Sequence, residues 1–421
     1  MMIIDPSQNA AGRLLPPDIP FRFFGTAIFF HILAWAVLAL NAASADGLSW
    51  PVLAALHLIT LGVLAMVAAG ASFQLLPVAT KRAVRAPVLC RVTYWLLTGG
   101  VALFAAGLVF GLSVLVAVGG GVAALGLLVM AILLVDNLMG VEDMPIVTGH
   151  AWIAALSLVA VEVLGGLLAI NLSLGFLDNR SSLMLAHGIL AAFGFMGMLA
   201  QGFSTILLPM FALSFAPSQR LGKGALLCNG LGLLFAVTGA LIEEPSLLAL
   251  GGVLGICGMG ILAWSLAATY RKRMRKRTGF FFLPIWMGVA AGPLAILCGL
   301  AALFDLFANA GALFVWMAVA GWLLTFLMGV LQRIMPFLAS MHSATAKGRT
   351  PLLSQLMSEG WAKAHFALHL TAVLCVAAGF LFEYVPLVQA GALFGLAGAL
   401  SFAGYGVELF KRVRRFRLEN A

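Results

Sequence analysis

The amino-acid sequence predicts an all-α membrane protein with about 12 transmembrane helices in three four-helix pseudo-repeats. Composition, the number of long apolar runs and a glycine–proline frame written three times carry that expectation. Of 421 residues, 63% are hydrophobic and 9% charged, against about 25% charged in a soluble chain. The mean hydropathy of +1.09 leaves too little polar surface for a water-facing exterior. A soluble fold is excluded.

A helix needs about 20 apolar residues to cross roughly 30 Å of hydrocarbon. Runs of that length lie at 21–43, 51–78, 90–112, 114–135, 150–172, 182–208, 223–242, 246–269, 280–304, 309–338, 361–381 and 386–410. The segment 1–20 is polar, with no apolar run after Arg13, and reads as a cytoplasmic tail. Span one then serves as an uncleaved anchor. Residues 21–410 form one membrane domain, with repeats at about 21–140, 148–270 and 279–410, and 411–421 form a basic cytoplasmic tail.

The repeated frame is a glycine, seven residues, a glycine, six residues and a proline. It occurs at Gly62, Gly70 and Pro77, at Gly194, Gly202 and Pro209, and at Gly321, Gly329 and Pro336. Copies 132 and 127 residues apart imply one unit used three times, with the frame on the second helix of each. Gly107, Gly239 and Gly379 echo it on each third helix. The frame is read as packing: its glycines give flat contact surfaces, and its proline ends or kinks the helix at the cytoplasmic boundary.

Basic residues fix the expected orientation. Lys81, Arg82, Arg85 and Arg91 follow span two, and Arg220 and Lys223 follow span six. Six more from Arg271 to Arg277 follow span eight, Lys347 and Arg349 follow span ten, and Lys411 to Arg417 follow span twelve. All fall on one side if both termini are cytoplasmic, and only Arg180 falls on the other, as the positive-inside rule requires. The isoelectric point near 9.7 therefore reflects topology and anionic lipid, not nucleic acid. The segment 342–360, punctuated by glycine and proline, is placed at the cytoplasmic surface. Cys90, Cys228, Cys257, Cys298 and Cys375 stand singly in apolar runs and read as small buried hydrophobes. No nucleotide-binding, covalent-haem or serine-hydrolase motif occurs.

Function must lie with polar residues inside the membrane, where ionisable groups are expensive. His57 is early in span two and His187 early in span six, at one depth in the outer half. His57 precedes its frame glycine by five residues and His187 by seven. On an unbroken helix those two residues turn the side chain by about 200°, so the rings face different spaces unless a helix carries a bulge. The third copy has Trp316 at this place. Each histidine reads either as a hydrogen-bonded packing residue or as a ligand, since neutral imidazole binds haem iron, copper and zinc. His31, mid-way along span one, is a third candidate cofactor ligand. His365 and His369, four apart on one face of span eleven, have a possible metal-ligand spacing. His150, His342 and His365 are placed at the interface. Glu162 is the one carboxylate well inside a span and is a candidate proton carrier. Arg333, beside Gln332, reads as snorkelling to the interface or as a ligand contact.

Twelve spans in three repeats, with histidines on second helices near the outer face, resemble the catalytic subunit of haem–copper oxidases. The PFRFF entry to span one, HLITLGVLAMVAAGASFQLLPV, HGILAAFGFMGMLAQGFSTILLPM and MGVLQRIMPFLASMH are similar to segments of NnrS-like membrane proteins. The resemblance implies haem on His57 and copper on His187. It departs at span ten, which has no histidine, and at span seven, which lacks the copper-binding pair, so oxygen reduction is not expected. The NnrS-like second-span pattern continues with alanine, any residue and glutamate after its histidine; here His57 is followed by Leu58, Ile59 and Thr60. The expectation is a bacterial inner-membrane protein binding haem b, copper or both, with a redox, nitric-oxide or respiratory-stress role and an electron-transfer partner. A proton-coupled transporter or small-molecule channel, with the histidines and Glu162 as contacts, is the alternative, and a non-catalytic assembly subunit is the third.

Overall fold

A computed structural model of the chain describes residues 15–47, 49–274, 276–343 and 349–420. Arg13, Arg275 and Lys347, used in the reading of the tails and loops, lie outside the described residues. All regular structure among the described residues is helical. Twelve helices are long and apolar enough to cross a membrane. They are α1 (Asp18–Leu40), α2 (Trp50–Ala79), α3 (Pro87–Phe110), α4 (Ser113–Leu138), α5 (Pro145–Leu174), α6 (Arg180–Ala212), α7 (Gln219–Leu241), α8 (Pro245–Arg271), α9 (Phe282–Leu303), α10 (Ala310–Met341), α11 (Glu359–Leu381) and α12 (Val385–Glu419). Each expected span overlaps one of them. Five have proline at the first or second helical position: α2, α3, α5, α8 and α12. An amide is not needed there and φ is already helical.

Three helices are inner. Over their most apolar stretch, 72% of α2, 61% of α6 and 72% of α10 is buried, against at most 44% elsewhere. All three carry a π-helical segment: Thr60–Ala65 in α2, Leu190–Met196 in α6 and Met317–Leu324 in α10. Each contains the first glycine of its frame. A π segment holds extra residue length in a helix and re-aims the side chains beyond it.

The frame glycines are contact points, as the packing reading expected. A Cβ on Gly70 would stand 2.8 Å from Phe23 Cβ, and one on Gly202 2.8 Å from His150 Cβ. One on Gly329 would stand 2.9 Å from the Ile285 backbone nitrogen. Thus α1, α5 and α9 each lie against the second glycine of a frame. The prolines lie inside their helices, which end two, three and five residues beyond them. Pro77 and Pro209 are followed four residues later by a left-handed residue, Lys81 (φ 58) and Leu213 (φ 52). The amides of Arg82 and Ser214 then return to the proline carbonyls at 3.1 and 3.0 Å, a Schellman closure. α10 continues past Pro336 to Met341.

The hairpins α3–α4, α7–α8 and α11–α12 close in one manner. The carbonyls of Gly107, Gly239 and Gly379 accept from the amides of Leu112, Glu244 and Tyr384 at 2.8, 2.8 and 2.9 Å. The preceding Gly111, Glu243 and Glu383 have φ of 69°, 57° and 51°, and a non-glycine residue in that region is disfavoured by about 1–2 kcal/mol. A Cβ on Gly107, Gly239 or Gly379 would meet the backbone nitrogen of Val116, Leu248 or Val388 at 2.6, 2.7 and 2.9 Å. Close backbone approach is what these three positions require.

The basic segment after span twelve continues α12, which is helical to Glu419. The sequence after Leu409 has no proline or glycine to stop it, and Arg412 pairs with Glu408 one turn back at 2.7 Å. Arg412 Nη1 also donates to the carbonyls of Gln355 and Met357 at 3.2 and 2.9 Å. With Ser340 Oγ donating to Pro351 O at 2.7 Å, this folds the segment around the short helix Leu353–Leu356 across the end of α10. Leu356 is buried beneath it.

Candidate functional site

The histidines fall into two groups. His57 lies seven residues after the first residue of α2, and His187 seven after the first of α6. Each is also three residues before its π segment. The two-residue difference counted to the frame glycines falls within the π segments. The two imidazoles are close enough to interact electrostatically. Measured from the π segment, the third counterpart is Phe314, not Trp316. Its ring stacks on Phe193 with centroids 6.1 Å apart.

Both rings of the pair are anchored through Nδ1. His57 Nδ1 donates to Leu53 O at 2.9 Å, and His187 Nδ1 to Val161 O of α5 at 3.1 Å. A carbonyl only accepts, so in the neutral ring Nε2 keeps its lone pair. Phe104 meets the His57 ring edge-on at 5.1 Å. His187 fits over Gly165, where a Cβ would stand 3.0 Å from its Cε1. Glu162 is one turn from Gly165 on the same face of α5. It is half-buried, its Oε1 is enclosed without a hydrogen-bond partner, and no ion pair joins it to a histidine among the described residues.

His31, His365 and His369 form the second group, and the structure brings them together from α1 and α11. The centroids of His31 and His365 are 6.0 Å apart, and those of His365 and His369 5.7 Å. All three are buried, at 0%, 1% and 2% exposure. His365 and His150, placed by sequence at the interface, are therefore enclosed between helices. Trp35 Nε1 donates to His31 Nε2 at 2.9 Å, and His365 Nδ1 donates to Gly398 O at 2.9 Å. His369 Nε2 lies 2.8 Å from Thr325 Oγ1, whose own hydrogen goes to Ala320 O at 2.8 Å. Trp35 and Trp316 close the group, meeting edge-to-face at 5.7 Å. Among the described residues, no group of three or more His, Cys, Asp or Glu is arranged to hold a metal ion. One nitrogen of each ring is engaged, by Trp35 at His31, by Gly398 at His365 and by Thr325 at His369.

Sequence reasoning missed Trp35 and Thr325. Trp35 was within reach, four residues after His31 and on the same helix face. Thr325 is 44 residues from His369, and no local pattern links them.

The remaining candidates are separate. His342 accepts from Gln74 Nε2 at 3.5 Å, and partial burial holds its pKa below the ordinary value. Arg333 is enclosed near the end of α10. It is buried at 8% exposure, with its guanidinium 5.3 Å from the Phe281 ring centre and 5.8 Å from that of Phe211. These distances are in the cation–π range, and Nη1 also reaches Met357 Sδ at 3.5 Å. Cys90 and Cys298 are buried as expected, but Cys257 is exposed; all five cysteines are free. An apolar cavity of about 50 Å³ lies among α1, α2, α6 and α10, lined by Phe24, Val67, Phe203, Leu327 and Ile334.

No family model matches the chain, and no curated protein matches it.

Proposed function

We propose that the chain is an oxidase-subunit-like membrane protein whose His57–His187 pair holds a redox centre, haem b or copper. The role is redox, or linked to nitric oxide or respiratory stress, and not oxygen reduction. The observation that carries this reading is that two imidazoles at the same place on their helices each have Nδ1 tied to a backbone carbonyl. That bond fixes tautomer and ring direction, and it leaves the Nε2 lone pair for a metal. The donor chemistry therefore fits haem iron or copper. When bound, such a centre would supply one-electron chemistry. The chain contributes ligation, ring orientation through Leu53 and Val161, and an apolar wall from Phe104.

Three four-helix pseudo-repeats give this pair its context. In support are the π segments on the second, sixth and tenth helices, the first helices lying against the frame glycines, and the three like hairpin closures. Phe314 at the third place supplies no ligand, in keeping with chemistry other than oxygen reduction. The basic residues support an inner-membrane orientation with both termini cytoplasmic.

Protein purified from haem-replete cells should show a Soret band or stoichiometric copper, lost in His57→Ala and His187→Ala. Colourless, metal-free wild-type protein would sink the proposal. A second reading, a proton-coupled transporter, is favoured by one observation, the enclosed Glu162 Oε1. Substrate-dependent proton uptake into liposomes by metal-free protein, abolished in Glu162→Gln, would select it.

A further inference from the structure

The inner histidine group has hydrogen bonds that fix what each ring can still offer. Trp35 Nε1 is donor-only and takes His31 Nε2, so neutral His31 carries its hydrogen on Nδ1, which has no partner. Gly398 O is acceptor-only, so His365 carries its hydrogen on Nδ1 and keeps a lone pair on Nε2. Thr325 directs its hydroxyl hydrogen to Ala320 O and so receives one from His369 Nε2. His369 Nδ1 is then a lone pair without a partner. The remainder is one donor and two acceptors on three buried rings.

We propose that His31, His365 and His369 form a neutral binding site for one internal water molecule. The water accepts from His31 Nδ1 and donates to His365 Nε2 and His369 Nδ1, joining α1 to α11 inside the membrane. Buried waters characteristically make about three hydrogen bonds to polar groups that otherwise lack partners, and a buried polar atom left unpaired is destabilising. The site does not suit a cation. It would present an N–H towards the ion, and among the described residues no carboxylate joins the three rings in a metal-holding group. Nor does it suit a proton relay. To pass a proton, His31 would have to take one on Nε2, where Trp35 Nε1–H already points and cannot accept. Trp35 and Thr325 are therefore tautomer locks, a role independent of any centre at His57 and His187.

Solution or solid-state NMR of the full chain in lipid nanodiscs, with ¹⁵N-labelled histidine, tests the site. The expected result is Nδ1–H at His31 and His365, Nε2–H at His369, all neutral, with magnetisation transferred from water to these rings. Trp35→Phe should turn the single His31 tautomer into a mixture while His369 keeps its own. Nδ1–H at His369 in wild-type protein would overturn the proposal, as would loss of the water transfer or an imidazolium signal. The wild-type spectrum decides this even if the variant does not fold; signals are assigned by labelling and through-bond correlation.

Discussion

Gly165 and His187 are interlocked across two helices: the imidazole of α6 lies where a side chain on α5 would begin, 3.0 Å from a Cβ position to Cε1. Its Nδ1 reaches Val161 O one turn earlier on the same helix. The absence of a side chain at Gly165 is what allows the ring to take that bond. Gly165→Ala should push the ring off the carbonyl and lower the affinity for the proposed haem or copper by at least about tenfold, the effect typical of losing the bond that orients a ligating histidine. Gly166→Ala is the matched control, since nothing lies within 4 Å of its Cβ position. Equal occupancy in the two variants would show that Gly165 does not seat the ligand.

The hairpin glycines should be intolerant in proportion to backbone approach. Gly239→Ala places a methyl 2.7 Å from the Leu248 amide nitrogen, which cannot rotate away. Overpacking of this kind destabilises by about 1–3 kcal/mol. Gly224→Ala, on the same helix α7 with open space around it, should be neutral or slightly stabilising because alanine is the better helix former. Thermal unfolding in one detergent compares them, and similar melting temperatures would refute the close-approach account.

His342 predicts an acid-sensitive contribution to stability. Burial lowers its folded-state pKa below 6.5, so the unfolded chain takes up the proton first as pH falls. The contribution is complete above pH 6.5 and is lost as pH drops through the folded value. His342→Gln should flatten that part of the stability–pH curve below about pH 6.5. An unchanged curve would remove His342 from the explanation.

Arg412 holds the 349–358 segment over the end of α10 through the carbonyls of Gln355 and Met357. Loss of two hydrogen bonds to a charged donor amounts to about 3 kcal/mol or more, which raises the open population of the segment strongly. Arg412→Ala should therefore speed limited proteolysis there by at least about tenfold, with the membrane helices left intact.

The helices were legible because apolar length is a local property of the chain, and so were the frame glycines, whose spacing survives in the packing. The π segments were not legible. Nothing in Thr60–Ala65 or Leu190–Met196 departs from ordinary helical composition, and the inserted length shows only once neighbouring helices fix the register. That is why the sequence places His57 and His187 at one depth without fixing where their rings face. Likewise, the His365–His369 spacing is local, whereas the partners of these two rings, Gly398 and Thr325, are distant in sequence and no local pattern finds them.

The π segments also make each inner helix a joint between two independently set halves. A residue held in a π turn is taken up without turning the helix on either side of it, whereas the same residue added to ordinary helix turns everything before it by about 100°. A one-residue insertion between Ala65 and Gly70 should therefore swing His57 against the glycine–proline half that is clamped on α1, while a deletion within Thr60–Ala65 should leave both halves facing as they do. The direction this histidine faces is thus set by chain length, and by where along the helix that length changes.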